Sequence, residues 1–195
     1  MSGGGLTGDR AKGARARLFV ALELPEAVRT ELAGWAGAGL DERFRLVAPA
    51  DLHVTLCFLG WRDEDEIEAI AHLAAGVARP VGGLGLSEPV WLPRRRPRVL
   101  AVGLQDGDGG LGELAGAVVG ELVAHAGHVP EERPFRPHVS VARVRRPRGL
   151  TAQARPTLED VPGAGEVFAA SALTLQRSHL SPEGARYEAL MRVEL

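Results

Sequence analysis

The chain has 195 residues, 45% of them apolar, and its 23 basic and 25 acidic side chains leave a formal net charge of −2. That size suits one domain, or two small lobes sharing an interface. The near balance of charge excludes a protein that holds nucleic acid through a large positive field, so any such contact must be local. A single cysteine, Cys57, excludes an internal disulfide and a cysteine-rich metal site and fits a reducing cytoplasm.

Residues 1–16 are Gly-rich and polar with no hydrophobic period, which predicts a disordered tail ahead of one domain over 17–195. The apolar run Leu18 to Leu22 is too short for a signal-peptide core or a membrane span. Arg17 to Leu24 reads as a buried first strand. From Pro25, the spacing of Val28, Leu32, Trp35 and Leu40 predicts an amphipathic helix with proline in its first turn. Phe44 to Val47 reads as a brief strand, and Pro49-Ala50-Asp51 turns the chain into a strand from His53 that ends at Gly60.

Asp63-Glu64-Asp65-Glu66 is a solvated first turn for a helix carrying Ile67, Ile70, Ala71, Ala74 and Val77. Residues 81–91 predict a strand and a corner, the basic loop Arg94 to Arg98 follows, and Val99 to Leu104 is a strand. Leu111 to Ala126 carries a third helical period. Pro137 presets an extended strand from His138, and Arg145 to Gly149 is a basic loop. After an irregular stretch to Gly165, Val167 to Arg177 reads as one strand, Ser181 to Gly184 as a turn and Tyr187 to Leu195 as a last strand. This order is too rich in strands for a doubly wound parallel sheet and predicts an α+β protein with two related halves.

Two of the expected strands resemble each other. His53-Val54-Thr55-Leu56 and His138-Val139-Ser140-Val141 each place a hydroxyl two residues after a histidine, and in a strand those two side chains share a face. Two such pairs meeting across a groove supply an acid, a base and two hydrogen-bond donors, enough to open a phosphodiester without a metal. A third His-x-Ser, His179-Leu180-Ser181, runs into Pro182 and Gly184 and is set aside as a turn. Strict alternation puts Cys57 on the face of His53 and Thr55, as a small buried thiol, and puts Arg143 on the far face of its strand unless a bulge re-aims it. Arg98 and its neighbours offer guanidinium groups for an RNA backbone, and Phe19 and Tyr187 offer rings to stack on a base or edge the pocket. His72, His125, His128 and His179 show no ligand spacing, so no metal or other cofactor is expected.

The sequence resembles the 2H phosphoesterases, and within them the LigT/ThpR-type RNA 2′,3′-cyclic phosphodiesterases. The likeness is carried by Arg17-Leu18-Phe19-Val20-Ala21-Leu22, Leu52 to Gly60, Arg136 to Arg143 and Leu180 to Tyr187, in the family's order. It departs in having Ser140 and Val141 where Thr and Leu are usual. The resemblance implies a bilobal fold: two pseudo-symmetric halves, antiparallel sheets lining a central cleft and helices outside. It implies His53 as proton donor to the departing 3′ oxygen and His138 as base for water, with Thr55 and Ser140 on the phosphate and a 2′-phosphomonoester as product. The expected partner is an RNA end or nucleotide bearing a cyclic phosphate, met by a monomer. A non-catalytic RNA-binding module and a 2′-5′ RNA ligase running the reverse reaction are the alternatives.

Overall fold

The computed structural model of the chain describes residues 13–145, 150–181 and 184–195. Most of the expected tail, residues 1–12, lies outside them, as do four residues at the end of the basic loop, 146–149, and Pro182 and Glu183 of the expected turn.

Strand β1 (Arg15–Glu23) begins two residues before the expected start and is buried almost throughout, as befits a strand flanked on both sides. Helix α1 (Glu26–Gly39) buries Leu32 and Ala36, and β2 (Phe44–Leu46) follows it. Strand β3 (His53–Asp63) runs past Gly60, whose φ of 70° a glycine adopts without strain. The acidic run does more than meet solvent. Asp63 and Glu66 form a capping box, with the Asp63 N–H donating to Glu66 Oε2 at 2.9 Å, ahead of α2 (Ile67–Gly76). Strands β4 (Leu84–Leu92) and β5 (Val99–Asp106) form an antiparallel pair, and Asp106 caps α3 (Gly110–Ala126) by accepting from the N–H groups of Leu111 and Gly112. Strand β6 (His138–Val144) is the second motif.

The expected strand over Val167 to Arg177 is in fact two. β7 (Val167–Phe168) pairs with β4, whereas β8 (Ala172–Ser181) pairs with β1 and then with β9 (Gly184–Glu194). Between them the chain crosses from one half to the other, pinned by Ala170 N–H to Val81 O and Ser171 N–H to Glu23 O. Alternation alone does not show such a crossing, because both pieces keep the same period. His179 is likewise strand rather than turn: it pairs with Arg186 and meets Glu188 in solvent, one residue out of phase with Ser178.

All strands join one antiparallel sheet in the order β7-β4-β5-β6-β3-β1-β8-β9, with β2 added on β6. The two expected halves are its two sides, each with its motif strand innermost. Within the sheet they pair through a single residue pair, Val54 opposite Val139, after which β6 leaves β3 and takes β2 as its neighbour from Ala142 onward. The cleft opens where these strands diverge. Among the described residues, no helix is long and apolar enough to cross a membrane.

Val54 and Val139 are both fully buried, so Val54→Ala and Val139→Ala should each cost about 2 kcal/mol in urea unfolding, from lost methyl burial plus the residual cavity. Because the two side chains share the seam, the double variant should lose less than the sum; strict additivity would show that the pair is not the joint described here.

Candidate active site

Each motif begins its strand with a histidine held in the same way. The His53 Nδ1–H donates to the carbonyl of Asp51 at 2.7 Å, and the His138 Nδ1–H donates to the carbonyl of Arg136 at 2.8 Å. A carbonyl can only accept, so Nδ1 carries the proton in both rings and Nε2 is left for chemistry. Proline shapes both approaches: Pro49 opens the turn that presents Asp51, and Pro137 separates Arg136 from His138.

Extending the antiparallel register one residue either way from Val54 and Val139 sets His53 opposite Ser140 and Thr55 opposite His138. The four side chains therefore form a rectangle on one face, with the imidazoles on its diagonal and a hydroxyl beside each. Six of the expected residues, His53, Thr55, Ser140, Arg143, Phe19 and Tyr187, line one open cavity; His138 stands beside it at the start of β6. Burial pushes the His53 imidazole down to about 4, and the positive charges of Arg143 and His138 push the same way against the Asp51 hydrogen bond.

Two departures from regular strand geometry decide what else reaches the cleft. In β6, Ala101 faces Ser140 and Leu100 faces Ala142, so Val141 is a bulge that turns Arg143 into the cavity. In β3, Leu56 and Leu59 are extra residues against β1. The first of these reverses the alternation, which turns Phe58 into the cleft and sends Cys57 to the core. There its Sγ lies 3.3 Å from His128 Nε2, with the thiol pushed up to about 11 by burial. Cys57 is thus a buried thiol as expected, but it does not share the face of His53.

Phe19 and Tyr187 do meet at the site. Phe19 stacks on the His53 ring at 4.9 Å between centroids, and Tyr187 meets both rings edge-on, the His53 ring at 5.2 Å and the Phe19 ring at 5.1 Å. Phe19 is only 3% exposed, so its face serves the imidazole and not a base; Tyr187 is half-buried and lines the cavity. Arg98 is not brought to the site. Its side chain is exposed next to the β4–β5 turn, and its backbone ties Leu92 to Val144. The sequence reading missed Arg17, which lies over the Phe58 ring at 4.5 Å and donates to Ser178 Oγ at 3.4 Å. Period-2 spacing from Phe19 along β1 was the available signal.

A family model described as the 2′-5′ RNA ligase superfamily matches residues 24–181, which hold both motifs and Arg143. The chain belongs to that superfamily. It is similar to the RNA 2′,3′-cyclic phosphodiesterase of Escherichia coli, at 31% identity over 90% of this chain and 94% of that one. The protein of the same name from Thermus thermophilus is 33% identical over 92% of this chain and 90% of its own length. Among solved structures, E. coli LigT complexed with 3′-AMP superposes with a TM-score of 0.70 and 27% identity, covering 93% of this chain and 99% of the other. Arg17, Phe19 and Tyr187 lie outside the stretch that the superfamily model matches.

Because its value in the folded protein is depressed, neutral His53 contributes stability that is fully present above about pH 6.5 and is lost as pH falls through about 4. In solution NMR its ring should titrate near 4, and Arg143→Met should move that midpoint upward. A His53 midpoint at the ordinary imidazole value would contradict this charge arrangement.

Proposed function

We propose that this chain hydrolyses RNA 2′,3′-cyclic phosphodiester ends to 2′-phosphomonoesters by two-histidine general acid–base catalysis. The observation that carries the reading is the register through Val54 and Val139, which aligns the two motifs, each with an imidazole held through Nδ1, where His53, Thr55 and Ser140 line one cleft. The names of the relatives from E. coli and T. thermophilus, and the nucleotide held by the LigT structure, support the same substrate class.

In the reaction, His138 takes a proton from water as its oxygen bonds to phosphorus. The bond from phosphorus to the 3′ oxygen breaks, and His53 gives its proton to that oxygen, leaving a 3′ hydroxyl and a 2′ phosphate. His53 is neutral in the empty cleft, so the donor role requires the substrate's negative charge to offset burial and the Arg143 guanidinium and raise its affinity for a proton. Thr55, Ser140 and Arg143 stabilise the non-bridging oxygens as charge builds on them. Phe19 and Tyr187 position the His53 ring. Among the described residues, no three His, Cys, Asp or Glu side chains stand together as metal ligands, and the steps above call on none.

Both motif strands come from one chain, which supports a monomer acting as one bilobal domain over 17–195. Its substrate and its reduced Cys57 fit the cytoplasm.

Turnover of a nucleoside 2′,3′-cyclic phosphate in EDTA tests the reading. His53→Ala and His138→Ala should each lower kcat by about 10²- to 10⁴-fold, and Thr55→Ala and Ser140→Ala by about 10²-fold. Full activity in either histidine variant, loss of activity on chelation, or binding without turnover would overturn it.

A further inference from the structure

The cleft does not end at the phosphate site. It continues into a second, open cavity between β2 and the β8–β9 hairpin, and the two share Val47, Asp51, Arg143 and Tyr187 as a common wall. Beyond that wall stand Arg45 of β2 and Arg186 of β9. Arg45 is the direct cross-strand partner of Arg143, which places two arginines opposite each other where β2 joins β6. The hairpin also makes room for it. Gly184 has φ of +133°, a conformation that favours glycine, and a Cβ there would sit 2.6 Å from the Arg45 guanidinium carbon, so a larger residue would displace that side chain. Among the described residues lining this cavity, three are arginines and one, Asp51, is an acid.

We propose that this second cavity binds the phosphodiester immediately 5′ of the cyclic end, so that the enzyme acts on the ends of RNA strands in preference to free nucleotides. The inference rests on the hydrolase reading above. A ribose whose 2′ and 3′ oxygens face the histidines directs its 5′ oxygen away from them, and in a strand the next phosphate leaves from there. A mononucleoside cyclic phosphate has nothing to place in that position. Planar guanidinium forks on β2 and β9, both lining this cavity, suit a phosphodiester's paired oxygens.

Two measurements decide it. The first compares kcat/KM for a mononucleoside 2′,3′-cyclic phosphate with that for a short single-stranded RNA ending in the same group. The RNA should be favoured by about tenfold or more. Arg45→Ala and Arg186→Ala should each remove about tenfold from the RNA value, while the mononucleotide value changes less than about twofold. Equal values for both substrates in the wild type, or equal losses for both in the variants, would overturn the proposal. The second measures binding of a 2′-phosphate-terminated RNA by fluorescence anisotropy across salt. Each variant should weaken binding and lower the slope of log K against log salt by about 0.7, one single-strand phosphate contact; unchanged binding and slope would overturn the groove. If the wild type turns over neither substrate, the hydrolase reading falls, and the binding comparison alone judges the groove.

Discussion

One residue pair, Val54 against Val139, carries the joint on which the site depends. A longer run of pairing between β3 and β6 would close the sheet over the place where a phosphate must enter, and no pairing would leave the two histidines on unrelated surfaces. With one buried pair, the flanking residues of both strands are held at sheet spacing and the strands then part. β2 makes the parting possible by taking over the edge of β6 from Ala142, so backbone groups that β3 no longer meets still find partners, as Val141 O does from Val47 N–H.

Around that joint, the two imidazoles are prepared alike and placed differently. Both are fixed through Nδ1 to a carbonyl two residues back, which sets tautomer and direction together. His53 is then enclosed by Phe19 and Tyr187, and burial, reinforced by the charge of Arg143, holds it neutral, whereas His138 stands at the start of its strand beside the cavity. Acid–base work needs one imidazole protonated and the other neutral. A substrate that carries negative charge acts on the first histidine as it binds, so occupancy and protonation are linked.

The two motifs were legible because a strand's period of two ties each histidine to its hydroxyl, and that relation survived folding at both His53/Thr55 and His138/Ser140. The helices were legible for the same reason at period 3.6: Leu111, Leu114, Val118 and Leu122 are all buried in α3. What strict alternation hid were the places where it breaks. The bulge at Val141 brings Arg143 to the cavity, and the one at Leu56 exchanges Cys57 for Phe58 on the cleft face. A bulge is a property of two strands in register, so neither strand's sequence declares it alone. The split between β7 and β8 escaped for a related reason, since partner choice is tertiary. Arg98 failed differently: its basic neighbourhood was legible, and its distance from the cleft was not.

Two-histidine catalysis here requires that both imidazoles face one phosphorus atom. A crystal structure with a non-hydrolysable nucleoside 2′,3′-cyclic phosphate analogue measures this directly. It should show Nε2 of His53 and Nε2 of His138 on opposite sides of the phosphorus, each within about 3.2 Å of an oxygen bonded to it or of the water in line with it. A phosphorus atom held by one ring with the other turned away, or seated among Arg45 and Arg186 with neither histidine in reach, would contradict it.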